Sequence, residues 1–218
     1  MLKNEQCVLT EDSEQCAEML NVFFHSQFQT DYMACESPKI EVSREENIEI
    51  TIERVAKLIS ELPNGRSPGP DGIRKPDMLI DLASNSRCLS MLYKASLDSG
   101  RLPHQWKVAN VTPVYKGGGV ESVNSYRSIS LTSIPCKMME HIILHYLKGI
   151  LENVLLHRQH GFRRGLSCQT QLCATYHDLV SAVDKGHTTH AIIMDFKKAF
   201  DKVPHLLLLL QKLKKYQE

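Results

Sequence analysis

The stretch "HAIIMDFKKAFDKVPH", residues 190–205, combines a short apolar run with a carboxylate at its end. Residues 191–194 have the composition of a buried β-strand, and Asp195 follows directly. A strand that presents an aspartate at its C-terminal end is a common source of a metal ligand at a sheet edge. The same carboxylate can also cap the turn that follows it, so the stretch alone leaves both roles open.

The composition fits one large domain or two small ones with a hydrophobic core. The chain has 218 residues, of which 42% are hydrophobic. Its formal net charge is +1, but residues 1–60 hold 5 Lys and Arg against 12 Asp and Glu, whereas residues 61–218 hold 21 against 13. A basic body behind an acidic leader is compatible with a phosphate-rich partner, although the excess of positive charge is modest.

The cysteines and the N-terminus indicate a reducing compartment. The seven cysteines are scattered, and none forms a Cys-x-x-Cys pair, so neither a disulfide framework nor a zinc ribbon is predicted. The polar, acidic N-terminus does not have the pattern of a signal peptide. The longest apolar run, residues 206–210, is too short to cross a bilayer. The sequence therefore predicts an intracellular protein without a membrane segment, and does not distinguish nucleus from cytoplasm.

Hydrophobic periodicity predicts alternating helical and extended segments. Apolar residues at helical spacing predict helices over 51–62, 77–99, 135–156 and 167–184, the second interrupted near 84–86. A weaker helix is predicted within residues 13–28, and a last helix from about residue 205. Two β-prone runs, 106–116 and 126–133, predict a hairpin, and 190–195 predicts a further strand. The proline- and glycine-rich segment 63–72 predicts an extended loop.

Two cations flank the predicted hairpin. Lys116 and Arg127 would project from its tip or inner face, where they would be able to hold a polyphosphate. Charged residues on a hairpin also serve to block pairing between sheet edges, and the spacing alone does not separate the two roles. The histidine pairs at 141/145 and 157/160 lack the supporting carboxylate or cysteine spacing of a metal site.

Five segments follow one another in an order that defines a family. They are "GRSPGPDGI" (65–73), "LPHQWKVANVTPVYKGG" (102–118), "NSYRSISLTSIPCKMMEHII" (124–143), "QHGFRRGLSCQTQL" (159–172) and "IIMDFKKAFDKVPH" (192–205). This succession resembles the front part of the reverse transcriptase of non-LTR retrotransposons, the long-interspersed-element type. The resemblance covers about residues 45–215, and residues 8–30 weakly resemble the connector that follows the endonuclease of such elements.

The resemblance implies an α+β fold, a right-hand polymerase fingers subdomain with the first strand and helix of an incomplete palm. Residues 1–44 would be an acidic connector, residues 45–186 the fingers and the fingers-to-palm region, and residues 187–218 the start of a truncated palm. The family copies RNA into DNA by two-metal-ion nucleotidyl transfer. Its partners are an RNA template, a DNA primer and deoxynucleoside triphosphates.

The resemblance also assigns roles to individual residues. Lys116 and Arg127 look like the cations that grip the incoming triphosphate, and Phe200 looks like the aromatic gate that rejects a ribose 2′-hydroxyl. Asp195 would be catalytic and would bind both Mg²⁺ ions through its carboxylate, with the backbone carbonyl of Phe196 as a further ligand. Mg²⁺ prefers such hard oxygen ligands.

The resemblance further implies contacts with nucleic acid. Arg66 lies in the segment that resembles the fingers loop near the template, and Arg163 and Arg164 lie in the segment that resembles the fingers-to-palm connection along nucleic acid. Arg163 and Arg164 would face phosphates, and Arg66 would contact nucleic acid near the template.

The sequence departs from the family pattern in two places. Where the family has Tyr-Arg-Pro-Ile-Ser-Leu, this chain has Ser128 in place of the proline. The palm's paired Asp-Asp hairpin has no counterpart, since no Asp-Asp occurs in the 218 residues. We therefore expect a fragment of a polymerase that is inactive alone, binds Mg²⁺ weakly or not at all, and packs poorly over residues 187–218. A non-catalytic nucleic-acid-binding remnant and a helical protein-interaction scaffold are the alternatives.

Overall fold

The structure of the protein, a computed structural model, describes residues 2–3, 9–27, 48–152 and 155–196. The chain divides into two compact units, Met1–Tyr146 and Leu147–Glu218. The described helices are α1 (Ser13–His25), α2 (Ile52–Glu61), α3 (Lys75–Leu79), α4 (Leu82–Ser99), α5 (Ile134–Leu151) and α6 (Cys168–Asp184). The described strands are β1 (Leu2–Lys3), β2 (Leu9–Thr10), β3 (Asn110–Tyr115) and β4 (Tyr126–Leu131). They pair as two antiparallel two-stranded sheets, β1–β2 and β3–β4, which is compatible with the α+β class.

The main core of the first unit forms where α2, α4 and α5 bury their apolar residues. Thr51 caps α2, and its hydroxyl accepts a hydrogen bond from the Arg54 amide at 3.1 Å. Tyr93 of α4 is fully buried, its ring centroid lies 5.7 Å from that of Trp106, and its hydroxyl donates to the Pro135 carbonyl at 2.8 Å. The buried side chains of this core are Ile50, Val55, Ile59, Met78, Tyr93, Trp106, Ile134, Cys136, Met138, Met139 and Ile142.

The break predicted within the second helical stretch lies earlier than expected. The sequence placed it near residues 84–86, but the break falls between α3 and α4. Asp81 is the N-cap of α4, and its carboxylate accepts from the Ser84 amide at 3.1 Å. Ser86 lies inside α4 and donates its hydroxyl to the carbonyl four residues earlier, which lets the helix tolerate a serine there. Gly100 ends α4 in the left-handed conformation, as predicted.

The predicted hairpin is confirmed as an antiparallel pair. The turn between β3 and β4 contains a short 3-10 helix, Val123–Ser125. The register pairs Asn110 with Leu131, Val111 with Ser130, Thr112 with Ile129, Pro113 with Ser128, Val114 with Arg127, and Tyr115 with Tyr126. Because the sheet has two strands, Pro113 lies on an edge strand, where its missing amide proton is tolerated.

A second, smaller cluster of buried residues joins α1 to the hairpin. Leu20 and Phe24 of α1 are buried together with Leu2 of β1. Val123 and Tyr126, at the turn and at the start of β4, pack against these side chains. The helix that the sequence predicted within residues 13–28 therefore packs against one side of the hairpin.

The loop predicted over residues 63–72 contains neither helix nor strand and is held at two points. Lys75 donates its ammonium proton to the Leu62 carbonyl at 2.5 Å. Gly69 is buried against the residues that precede α5, so closely that a Cβ atom on it would lie 2.5 Å from the Ser133 amide nitrogen. Only glycine permits this approach of two backbones.

The second unit contains α6, which begins as predicted at Ser167. The Ser167 hydroxyl accepts from the Thr170 amide at 3.2 Å, and the Thr170 hydroxyl is 2.9 Å from the Ser167 amide that donates to it, a reciprocal capping arrangement. No residue of α6 is buried. Within the described part of the chain, no helix is both long enough and apolar enough to span a bilayer.

The β-strand predicted over residues 190–195 is not formed. Residues 187–196 contain neither helix nor strand, and Ile192, Ile193 and Met194 are 84%, 94% and 86% exposed. A strand persists only when its amides and carbonyls pair with a neighbour, and the sheets of the described residues are the two hairpin-like pairs named above. The helix predicted from about residue 205 lies outside the described residues.

Candidate functional site

The hairpin brings Lys116 and Arg127 to the same face. Arg127 lies directly opposite Val114, and side chains directly opposite each other in an antiparallel pair share a face. Lys116 is two residues beyond Val114, and its amide donates to the Ser125 carbonyl at 2.8 Å, so the extended pairing continues through it. Since side chains alternate with a period of two, Lys116 and Arg127 are diagonal neighbours, about 7–8 Å apart.

The opposite face of the hairpin is partly covered by α1. The Tyr115 and Tyr126 rings pair at 5.8 Å on that face, and Tyr126 packs into the cluster formed by α1. A cleft of about 440 Å³ between α1 and the hairpin is lined on the hairpin side by Pro113 and Ser128, which belong to the same face. The face that carries Lys116 and Arg127 is therefore the one directed away from α1.

Lys116 and Arg127 are both exposed, and neither forms an ion pair with another described residue. The ion pairs among those residues are Lys57–Glu61, Arg74–Asp77 and Arg163–Glu152, and none includes Lys116 or Arg127. Two hydrogen bonds fix the turn beside them: the Tyr115 hydroxyl donates to the Gly118 carbonyl at 2.5 Å, and the Tyr126 hydroxyl donates to the Val120 carbonyl at 2.8 Å.

Asp195 and Phe196 lie in the exposed segment 187–196 of the second unit. The Phe196 side chain is 84% exposed, and Asp195 is likewise exposed. Among the described residues, no group of three or more His, Cys, Asp or Glu side chains is arranged to hold a metal ion. Those residues therefore do not by themselves form a divalent-metal site around Asp195. Phe200 lies outside the described residues.

The two adjacent arginines of the predicted nucleic-acid segment have different environments. The Arg163 side chain is only 14% exposed, and its Nη2 lies 2.6 Å from Oε1 of Glu152. Its Nη1 also donates to the Leu156 carbonyl at 3.1 Å. Arg163 thus fastens the segment that follows α5, whereas Arg164 is exposed. Phe162, beside them, is 93% exposed and has a positive φ of 62°.

Arg66 is exposed at one side of a groove in the first unit. Lys137 and His141, one turn apart on α5, line the same groove. In the sequence, His141 stands out only as one of two histidines four residues apart, and no pattern distinguishes Lys137. Their i, i+4 spacing was visible in the sequence, but their proximity to Arg66 depends on how the loop 63–72 packs on α5.

Comparison with known proteins identifies a protein family that matches the second half of the sequence. Residues 114–217 match the family described as "Reverse transcriptase (RNA-dependent DNA polymerase)". This stretch includes β4 and α6, together with the positions of Lys116, Arg127 and Asp195. Members of this family generally use a divalent metal ion and bind an RNA template, a primer and deoxynucleoside triphosphates.

Several proteins similar to this chain come from transposable elements. A Drosophila melanogaster protein described as "Probable RNA-directed DNA polymerase from transposon BS" is 32% identical over 159 residues, 72% of this chain and 18% of its own length. The "RNA-directed DNA polymerase from mobile element jockey" of the same species is 29% identical over 159 residues, 72% of this chain and 17% of its own length. The Xenopus laevis "Transposon TX1 uncharacterized 149 kDa protein" is 24% identical over 209 residues, 91% of this chain and 16% of its own length.

The resemblance seen in the sequence is therefore confirmed. Residues 114–217 are part of a reverse transcriptase domain. That domain is of the kind found in non-LTR retrotransposons. The chain spans less than a fifth of the length of these relatives, 18% of the first and 17% of the second.

Proposed function

We propose that this chain supplies the fingers, and the first carboxylate of the palm, to a reverse transcriptase that copies RNA into DNA. In this assignment residues 1–44 are a connector, residues 45–186 the fingers and fingers-to-palm region, and residues 187–218 the start of the palm. The observation that carries the proposal is the hairpin register, which gives Lys116 and Arg127 one uncovered face.

Two cations on one face suit the triphosphate of an incoming deoxynucleotide. The Arg127 guanidinium offers paired donors to phosphate oxygens, and the Lys116 ammonium adds a compact charge beside it. The proline missing at Ser128 does not disturb this arrangement, because Ser128 pairs with Pro113 and lies on the opposite face from Arg127. Phe200 is proposed as the residue that excludes a 2′-hydroxyl.

Asp195 is proposed as one ligand of the divalent metal ions, which we take to be Mg²⁺, together with the Phe196 carbonyl. A bound Mg²⁺ pair would offset the negative charge that develops during nucleotidyl transfer. Among the described residues Asp195 belongs to no group of three or more metal-ligating side chains, so we expect Mg²⁺ binding by this chain alone to be weak or absent.

The arginines are proposed to contact nucleic acid in unequal ways. Arg66 and Arg164 are exposed and suited to phosphate contacts. Arg163 is held by Glu152 and by the Leu156 carbonyl, so its proposed role becomes that of a positioning residue which fixes the segment bearing Arg164.

Binding of a deoxynucleoside triphosphate by the purified chain tests the proposal. Lys116→Gln and Arg127→Gln are each expected to weaken binding about tenfold, since each removes one charge-assisted contact of about 1.4 kcal/mol. Lys107→Gln, which removes an exposed positive charge preceding β3, should leave the affinity unchanged. Equal affinities for all four proteins, or equal binding of the uncharged deoxynucleoside, would contradict the proposal.

Nucleic-acid binding without catalysis is the second candidate. It is favoured by the exposed arginines Arg66 and Arg164, which need no metal ion to contact phosphates. The same preparations, supplied with a primer–template and Mg²⁺, are expected to add no nucleotide. Primer extension that is abolished by Asp195→Asn would show that the chain catalyses nucleotide addition and that the carboxylate at 195 is required, and would exclude this candidate.

A further inference from the structure

A groove of about 320 Å³ opens between the C-terminal end of α2, the loop that follows it, and α5. Its apolar floor includes Leu62, Pro63 and Met138. Its polar rim includes Arg66 from the loop, with Lys137 and His141 from α5. All of these residues belong to the first unit. A volume near the lower end of ordinary ligand pockets suits one nucleotide-sized group.

The backbone on both sides of the groove is held in place. Met138 is buried in the main core, which fixes the first turns of α5. The loop that carries Arg66 is held by the Gly69 contact with Ser133 and by the Lys75 hydrogen bond to the Leu62 carbonyl. The rim residues are therefore presented from fixed elements, so little ordering of the backbone is needed when a ligand binds.

The charge around the groove favours an anion. Arg66 and Lys137 take part in none of the ion pairs among the described residues. Lys137 and His141 are one helical turn apart, so their side chains lie on the same face of α5. Glu61 also lines the groove, and its carboxylate is 3.8 Å from the Lys57 ammonium group, which offsets part of its charge.

We propose that this groove binds a phosphodiester of single-stranded nucleic acid, with Arg66 and Lys137 on the phosphate and His141 at its edge. The adjacent base or sugar would lie on the apolar floor. The proposal rests on the proposed function for its ligand class, and it adds Lys137 and His141 to the residues that contact nucleic acid. A single strand fits better than a duplex, because a groove of this volume admits one nucleotide and not two paired ones.

Binding of a fluorescein-labelled single-stranded RNA by the full chain tests this site. Lys137→Gln is expected to raise the dissociation constant about fivefold and to reduce the slope of log affinity against log salt by about 0.7, the loss of one phosphate contact. Lys94→Gln is the matched control, since Lys94 is an exposed lysine on α4 outside the groove. Circular dichroism of both variants checks that each is folded.

A second readout locates the ligand without any substitution. Mild acetylation of the wild-type chain, followed by mass spectrometry, is expected to show Lys137 protected by the RNA and Lys94 unprotected. If the RNA binds but Lys137→Gln matches Lys94→Gln and protection is absent, the groove assignment is overturned while the proposed function stands. If the wild-type chain binds no RNA, the groove assignment and the nucleic-acid role both fall, whereas the triphosphate site of Lys116 and Arg127 is judged by its own experiment.

Discussion

Gly69 is the residue whose lack of a side chain matters most to the first unit. A Cβ atom there would lie 2.5 Å from the Ser133 amide nitrogen and 2.6 Å from the Thr132 carbonyl carbon. Both are backbone atoms of the residues that precede α5, so they cannot rotate aside as the end of a side chain can. The close approach keeps the loop 63–72 against α5 and thereby sets one wall of the groove.

We predict that Gly69→Ala destabilises the protein by about 1–3 kcal/mol, the usual cost of forcing extra atoms into a packed site. The free energy of unfolding, measured with urea, checks the prediction. Gly149→Ala is the control, because a Cβ at that position in α5 meets nothing within 4 Å. There the change should be neutral or stabilising by up to about 1 kcal/mol, since alanine favours helix. Equal effects of the two substitutions would refute the steric argument.

The environment of a single residue is not always predictable from the sequence. Arg163 and Arg164 are adjacent and chemically identical, and no local sequence pattern distinguishes them. The structure separates them because Glu152, eleven positions earlier, lies within reach of Arg163. That pairing depends on how the chain folds back after α5, which periodicity does not encode.

At the scale of elements, the N-cap of α4 makes helix stability depend on pH. Hydrogen bonds from Ser84 hold the pKa of the Asp81 carboxyl below its usual value of 3.8. Because the pKa is depressed in the folded protein, the ionised cap stabilises α4 at higher pH, and that contribution is lost as the pH falls through the folded pKa.

We predict that the difference in unfolding free energy between the wild type and Asp81→Asn shrinks as the solution is acidified below about pH 4. Asparagine keeps a capping oxygen but carries no charge, so only the ionic part of the cap is removed. Urea denaturation at about pH 7, 5 and 3 would follow the difference. Asp98→Asn, near the C-terminal end of the same helix, should change stability in the opposite direction at neutral pH. A difference that does not vary with pH would contradict the prediction.

Elements with local signals were predicted well, and those that depend on distant partners were not. Thr51 and Ser167 have capping chemistry within three residues, so both helix starts were readable from the sequence. The hairpin had β-prone runs around a glycine-rich turn. The run at 190–195 had a strand's composition, but a strand also needs a neighbour, and none of the described residues pairs with it.

The distribution of burial across the molecule is uneven. The main core lies in the first unit, whereas α6 has no buried residue and Ile192, Ile193 and Met194 are at least 84% exposed. Burial of apolar side chains is the main source of resistance to local unfolding. The two units should therefore differ in their response to a protease.

We predict that thermolysin, which cleaves before large apolar residues, cuts first within residues 187–196. A fragment containing residues 48–146 should survive longest, because it contains the main core, in which side chains such as Val55 and Ile142 are buried. Mass spectrometry of a digestion time course would identify the sites. Simultaneous cleavage in both regions would contradict the prediction.

At this scale the sequence predicted the class of protein but not the assembly of the site. The register places Lys116 and Arg127 on one uncovered face, which supports their proposed contact with a triphosphate. Asp195 is different, because the described residues form no group of three or more metal-ligating side chains around it. Its proposed role therefore still rests on the family resemblance.

The exposed apolar side chains of α6 affect how the protein should be stored. Leu172, Tyr176 and Val183 present 67–70% of their area to water along one helix. Sulfate and other kosmotropic salts strengthen the tendency of such surfaces to leave water. Concentrated stocks should accordingly turn turbid at low ammonium sulfate, and a little arginine or mild detergent in the storage buffer should keep them clear.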